Sequence, residues 1–323
     1  MEKDVILSGM QPTGKLHLGN LEGALKNWIS LQNDYEMYCC IVDWHSLTSD
    51  YDHTNNLKER IIEMAIDYLA SGLDPQKCAI FVQSQVKEHA ELHLLFSMLI
   101  PVSRLARVPS YKEKRKELGL DSYGFLGYPL LQAADILIYK AKYVPVGQDQ
   151  LPHIELSREV ARKFNSLYGE VFPEPEAKLT KFPVIPGIDG RKMSKSYSND
   201  ITIADSPENT KEKIMRMFTD PGKIYKGDPG HPEKCPVHLL HQIYTPDYQK
   251  IHKLCNSGEL GCVECKKKLA ENINLALKDI RAKRKELEKD IPFVEKVLSS
   301  GAERARNKAQ ETMKEVRRAM RLF

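Results

Sequence analysis

An apolar run, Val5-Ile6-Leu7, and a helical pattern of Leu21, Ala24, Leu25, Trp28 and Leu31 bracket Gln11-Pro12-Thr13-Gly14-Lys15-Leu16-His17-Leu18-Gly19-Asn20. Strand, glycine-bearing turn and helix start bring unpaired N–H groups and a positive dipole end to a backbone that a ligand can approach closely. An anion such as phosphate is the natural guest, and His17 and Asn20 add side-chain donors of suitable size. Taken alone, the run is also what an ordinary strand-to-helix loop with a solvated histidine looks like. A second run, Gly190-Arg191-Lys192-Met193-Ser194-Lys195-Ser196, carries two lysines three residues apart in a loop-like context. Lysine is a mobile point charge that can follow a phosphate as its charge develops.

Thiols form a third constellation, Cys235-x19-Cys255-x6-Cys262-x2-Cys265. Cys39, Cys40 and Cys78 differ from these, since they lie in apolar runs and read as small buried hydrophobes. A total of seven cysteines argues against a disulfide framework. A zinc site usually shows two close pairs, and only Cys262/Cys265 is such a pair. Four thiolates also serve a [4Fe–4S] cluster, where uneven spacings and a Cys-Pro step such as Cys235-Pro236 occur. Cluster, Zn2+ and no metal all remain open on spacing. One carboxylate, Asp135, sits in the mostly apolar helical run Tyr128–Leu137 and needs a partner there, because an unpaired buried charge is costly. That partner is a cap or ion pair, or a donor on a substrate.

The elements that must position these residues alternate. Glu36–Asp43 reads as a second buried strand, ending at Asp43-Trp44-His45-Ser46; Asn55–Leu69 is a helix, with Thr54 as N-cap and Gly72 as stop. Cys78–Gln83 is a third strand, followed by a helix over Glu91–Ile100. Pro101–Asp121 reads as a basic loop, and Phe182–Pro186 as a last short buried strand. The pattern predicts an α/β fold, a Rossmann-like doubly wound parallel sheet with ligands at the carboxyl ends of its strands. Beyond Asp200, charged helical patterns at 207–218, 264–288 and 302–322 replace the strands, the last burying Ala302, Ala305, Ala309, Met313, Val316 and Met320. The boundary is placed near Tyr197, giving domains 1–196 and 197–323, the second α-helical. A net charge of +4 is too weak to imply a nucleic-acid partner, although the final tract concentrates Arg304, Arg306, Lys308, Lys314, Arg317, Arg318 and Arg321. No apolar run has membrane-spanning length and Met1-Glu2-Lys3-Asp4 lacks a signal-peptide pattern, so cytoplasm is expected and no membrane partner.

Together, His17-Leu18-Gly19-Asn20 and Lys192-Met193-Ser194-Lys195-Ser196 resemble the two signatures of class I aminoacyl-tRNA synthetases. Asn20 departs from the usual histidine in a way similar to the tryptophanyl and tyrosyl branch, and the Gln-Pro-Thr-Gly lead-in is closer to the tryptophanyl enzymes. The resemblance implies ATP-dependent activation of L-tryptophan, with Mg2+, and its transfer to tRNA(Trp). It implies catalytic roles for His17, Asn20, Lys114, Lys192 and Lys195. ATP would meet Gln11, Pro12, Thr13, Gly19, Asn20, Gly147, Gln148, Asp149, Ile185, Lys192, Met193, Ser194, Lys195 and Ser196. Tryptophan would meet Asp135 through its indole N–H, with Tyr128, Gln132, His45 and Gln150 nearby. Gln148 stands where the family usually has Glu. The four spaced cysteines are similar to those holding a [4Fe–4S] cluster in a subset of tryptophanyl enzymes, in the domain that meets the anticodon, with zinc as the alternative. A homodimer is implied, with its contact among Leu94, Leu95, Phe96, Met98 and Leu99. The rival readings are a tyrosine-specific ligase of the same fold and a non-catalytic RNA-binding or redox-sensing paralogue.

Overall fold

The computed structural model describes residues 3–179, 184–225 and 227–323. Five strands, β1 (Val5–Met10), β2 (Glu36–Ile41), β3 (Cys78–Val82), β4 (Tyr143–Val146) and β5 (Glu176–Leu179), form one parallel sheet in the order β3-β2-β1-β4-β5. Parallel neighbours cannot be joined by a tight turn, so every connection crosses over through helix. The chain steps outward from β1 to β2 to β3, then returns to place β4 on the other side of β1. That reversal is where open α/β sheets open a crevice at their carboxyl ends. Met37–Ile41 and all of β3 are buried, as a sheet covered on both faces requires. Cys39, Cys40 and Cys78 lie among them with at most 1% exposure, the role their apolar neighbours predicted.

Several elements differ from expectation. The fifth strand is Glu176–Leu179; Phe182 and Pro183 of the expected strand lie outside the described residues, and Pro186 makes only an isolated bridge to Lys192. Glu176-Ala177-Lys178-Leu179 escaped notice because it is an edge strand, half exposed and mixed in polarity. The supposed basic loop holds two helices, Val102–Leu105 and Pro109–Leu118, the second with proline in its first turn. Its lysines, arginines and glutamates are good helix formers, which a reading of charge alone conceals. Helix Leu57–Ser71 takes Asn56 rather than Thr54 at its N-cap, and ends as expected at Gly72, where φ is 113°. Helix Glu88–Ser97 starts before Glu91. The tract 264–288 is two helices, Cys262–Ala276 and Lys278–Leu287, and Pro236–Tyr244 and Tyr248–Asn256 precede it.

The described residues fall into two compact units, one of 3–14, 27–179 and 290–323, the other of 15–26 and 184–289. This division cuts across the boundary expected near Tyr197: the final helix, Ile291–Ala319, packs within the unit that holds the sheet. It crosses β3 at Gly301, where a Cβ would lie 1.9 Å from the Ile80 carbonyl oxygen. Next to the crossing, Arg304 donates to the carbonyls of Pro75 and Cys78, and Arg306 to that of Gln85. β3 is an edge strand, so the helix covers a row of backbone groups that would otherwise lack partners. Among the described residues no helix is long and apolar enough to cross a membrane.

Helix propensity alone favours Ala over Gly by about 1 kcal/mol in a helix interior. The contact with Ile80 demands the opposite sign at position 301. Gly301→Ala is expected to destabilise by about 1–3 kcal/mol, as overpacked cores do, read as a lower denaturant midpoint with an unchanged slope. A raised midpoint would show that the helix does not approach β3 this closely.

Candidate active site and thiol cavity

Parallel topology brings the carboxyl ends of four strands to one edge of the sheet. The chain leaves these ends through polar residues: Gln11 after β1, His45 after β2, Gln83 after β3 and Gln148-Asp149-Gln150 after β4. Asp43 ties two of them together, its Oδ1 accepting the N–H groups of Trp44 and Ser84, both at 3.0 Å. The Gln11 amide donates to the His45 carbonyl at 3.3 Å.

Asp135 is 3% exposed on helix Tyr123–Ile138 and gathers three donors. His45 Nε2 lies 2.8 Å from Oδ2, His89 Nδ1 2.6 Å from Oδ1, and Gln83 Nε2 2.8 Å from both oxygens. A carboxylate only accepts, so each ring nitrogen facing it carries a proton. His89 Nε2 then meets the Tyr139 hydroxyl at 2.6 Å. Burial works to raise the pKa of Asp135, but the His89 and His45 contacts outweigh it and hold the carboxyl below the usual range. Gln83 Oε1 remains buried without a donor.

Tyr128, buried on the same helix, shares Ser110 with His153: its hydroxyl lies 2.7 Å from Ser110 Oγ, which lies 2.7 Å from His153 Nε2. Burial pushes His153 down to about 4. Lys114 extends from helix Pro109–Leu118 with its ammonium 5.6 Å from the Tyr128 ring centre, a cation–π arrangement. Gln132 is partly buried on Tyr128's helix. Gly147 caps the short turn Gln148–Gln150, where Gln148 and Asp149 are exposed and Gln150 donates to Asp149 at 2.9 Å. Of the residues expected at the dimer contact, Leu95 (8%) and Phe96 (0%) belong to the core, whereas Leu94 (54%) and Met98 (67%) are exposed.

The second unit holds both glycine-turn and lysine motifs. His17 caps the helical start: its Nδ1 accepts from the Asn20 N–H at 3.2 Å, and Asn20 Oδ1 accepts from the His17 N–H at 3.1 Å. Gly19 is required, because a Cβ would sit 2.9 Å from the imidazole. With Nδ1 accepting, the remaining proton is on Nε2, a neutral donor. Burial, then the charge of Lys195, lowers His17 to about 4; Asp200 opposes and Lys192 adds. The segment pairs with the chain just past the lysines, Leu18 N–H to Ile201 O and Ile203 N–H to Leu16 O, both at 2.9 Å. In the lysine hairpin, Met193 N–H bonds to Ile185 O at 2.8 Å, and both side chains are buried. Asn199, 1% exposed, locks it: Oδ1 accepts from Ser194 N–H at 2.8 Å, and Nδ2 donates to Asp189 Oδ1 at 2.7 Å and Lys192 O at 3.1 Å. Ser196 lies in the short turn Lys195–Tyr197.

Cys235, Cys255, Cys262 and Cys265 line one cavity with Thr219, Asp220 and Lys223. Each is a free thiol. Cys235 is the N-cap of helix Pro236–Tyr244, and Cys262 opens the next long helix. Burial, and after it the other three thiols, push Cys265 up to about 12. Four thiolates would therefore not coexist here without a cation. Among the described residues no three of these sulfurs lie within 4.8 Å of one another. Four thiols lining one cavity are a donor set of the kind that soft metals take.

A parallel sheet with polar strand ends in the first unit, and a helix-capping histidine with a lysine hairpin in the second, define a nucleotide-binding enzyme of the class I synthetase type. The family described as tRNA synthetases class I (W and Y) matches residues 2–278. The tryptophan–tRNA ligase of Thermotoga maritima is 52% identical over 98% of this chain and 99% of its own length. That of Aquifex aeolicus is 45% identical, with the same coverage. The crystal structure of tryptophanyl-tRNA synthetase from Campylobacter jejuni, complexed with ADP and tryptophan, superposes with a TM-score of 0.88 at 36% identity, covering 98% of this chain and all of that one. The chain belongs to the class I tRNA synthetases of the tryptophan and tyrosine group.

Sequence reasoning missed Gln83, His89, Ser110 and Asn199. Gln83 had a readable signal, a polar residue just past a buried strand. His89 and Asn199 had none, because their roles depend on partners 46 and 10 residues away.

His17 yields a test of sign. Between about pH 4 and 6.5 the unfolded chain binds a proton at this histidine that the folded chain refuses. Stability from this group is therefore complete above pH 6.5 and is lost as pH falls toward 4. NMR titration should show the His17 ring still neutral at pH 5.5, with Nε2 protonated. A midpoint near 6.5 would remove the buried, Lys195-facing environment.

Proposed function

We propose that the protein is a tryptophan–tRNA ligase: it joins tryptophan to ATP as tryptophanyl-adenylate with release of pyrophosphate, then passes the acyl group to the 2′-hydroxyl of the 3′-terminal ribose of tRNA(Trp). The carrying observation is that both motifs fold into one interlocked segment, in a chain whose relatives named as tryptophan–tRNA ligases are 45–52% identical over nearly their whole length. A non-catalytic paralogue would have no need to keep the Asn199 lock under Lys192 and Ser194.

The first step needs no protein nucleophile. The tryptophan carboxylate attacks the α-phosphorus, the bond to the pyrophosphate oxygen breaks, and charge grows on the phosphate oxygens. Alignment and electrostatic stabilisation supply the catalysis. His17 offers a neutral Nε2–H, Asn20 an amide, and Lys192 and Lys195 mobile positive charge on a braced hairpin. Lys114 is assigned to pyrophosphate. Gln11, Pro12, Thr13, Gly19, Gly147, Gln148, Asp149, Ile185, Met193, Ser194 and Ser196 line the nucleotide. Gln148 can still hydrogen-bond a ribose hydroxyl, although it lacks the charge of the family's usual Glu. Mg2+ carried by ATP offsets the pyrophosphate charge.

Asp135 is the indole acceptor. Its oxygens already take the His45, His89 and Gln83 contacts, so the indole N–H must displace one. The Gln83 amide, stretched across both oxygens, gives way at least cost. Tyr128, Gln132, His45 and Gln150 complete the amino-acid pocket. Amino-acid-dependent ATP–pyrophosphate exchange tests the reading across a panel of amino acids. Tryptophan should be the active member, and Asp135→Ala should weaken its use by about 10- to 100-fold, the loss of a charged hydrogen-bond partner. Comparable exchange with tyrosine would sink the assignment.

We propose further that the four thiols hold a [4Fe–4S] cluster, with zinc as the alternative, in a helical region that meets the tRNA anticodon in the cytoplasm. Four thiols lining one cavity support a shared metal group, and their uneven spacing along the chain supports the cluster. We also propose a homodimer formed through exposed Leu94 and Met98, joined by Val102 (64%) and Tyr123 (67%). Sedimentation should give a mass twice 36.9 kDa; a monomer whose sedimentation is unchanged by Met98→Glu would remove the dimer.

A further inference from the structure

Lys223 reaches into the lining of the thiol cavity, and its ammonium is buried with no hydrogen-bond acceptor among the described residues. An unpaired buried cation is costly, so the position demands a negative neighbour. Asp220, in the same lining, is committed elsewhere. Its Oδ1 accepts from Gly222 N–H at 2.8 Å, and its Oδ2 from the His231 N–H and ring Nδ1, both at 2.8 Å. The lysine stem and the Cys255 thiol flank the same bare backbone. A Cβ on Gly230 would lie 2.5 Å from Cys255 Sγ and 3.3 Å from Lys223 Cδ. Any side chain at position 230 would displace one or the other. His238 also lines the cavity, but its ring is paired with His252 at 3.3 Å.

We infer that Lys223 is the charge partner of the group held by the four thiols. A metal centre ligated by four thiolates carries net negative charge, and the buried ammonium beside Cys255 offsets it. The inference rests on the proposal that these thiols bind a metal centre. For an iron–sulfur cluster it has a signed consequence. One-electron reduction adds negative charge, so a nearby cation stabilises the reduced form, and the cation's loss lowers the potential.

The test compares wild type with Lys223→Met, Lys223→Gln and Lys223→Arg, purified anaerobically and checked for folding by circular dichroism. Iron, sulfide and zinc content settles the cluster proposal by itself. With iron and sulfide present, potentiometric titration should show the Met and Gln variants disfavouring reduction by tenfold or more. That is at least about 59 mV for one electron, with Arg within twofold of wild type. With zinc in its place the cluster proposal falls, and the role of Lys223 is read from transfer of zinc to a chelator. Transfer should be at least tenfold faster in Met and Gln and unchanged in Arg. Potentials and release rates within twofold across all four proteins would overturn the inference, as would equal damage in the Arg variant, which points to shape rather than charge.

Discussion

A carboxylate that loses water must find donors, and in this protein that requirement organises the sheet's working edge. Asp135 is nearly inaccessible, and an unpaired charge there would cost several kcal/mol. Its donors come from the turn after β2, the turn after β3 and helix Glu88–Ser97. Each such bond is worth about 1.5–3 kcal/mol, enough to fix the ends of two strands relative to the helix that carries Tyr128 and Gln132. The acidity shift follows the same logic, with burial opposing ionisation and the histidine contacts prevailing. A pocket built this way holds an acceptor in place before any substrate arrives, and preorganisation of that kind is what selective binding of a lone N–H needs.

In the second unit Asn199 does with a neutral amide what Asp135 does with charge. Its side chain bonds to the backbone at Lys192 and Ser194 and to Asp189. The backbone of the hairpin is thereby held at two points. From such a frame a lysine's long, flexible stem can carry its charge to more than one position. The same unit keeps His17 neutral by burial and by the field of Lys195. A cap that accepts through Nδ1 cannot tolerate a second ring proton, so the hydrogen bond and the electrostatics select one tautomer.

Much of this was legible because it is local. The alternation of apolar runs with helical patterns marks the first three strands, and glycine, histidine and lysine spacing marks both motifs. The thiol set was legible as a group of candidate metal ligands and not as a particular metal, since spacing along a chain does not measure distance between sulfurs. What escaped was set by distant partners or by weak patterns. β5 is short and polar, helix Pro109–Leu118 looks like a charged loop, and Ser110 and His89 acquire meaning only across 43 and 46 residues. Charge read without partners was incomplete. Arg304, Arg306 and Arg317 stood out as a basic tract, but each is engaged within the first unit.

The terminal helix makes the physical point. An edge strand exposes carbonyls that water could satisfy, yet β3 is buried on both faces, so its edge has to be covered by protein. A helix can come close enough only where it has no side chain, which places Gly301 over Ile80. Beyond that contact the helix must still supply donors, and arginine reaches several carbonyls from one planar head. Pro75, Cys78 and Gln85 receive them, and Glu91 takes Arg317. These arginines therefore serve the sheet before they can serve any polyanion, and the tract's positive charge is smaller in effect than its composition suggests. The helix that carries this basic tract is thus also the cover of the sheet's edge.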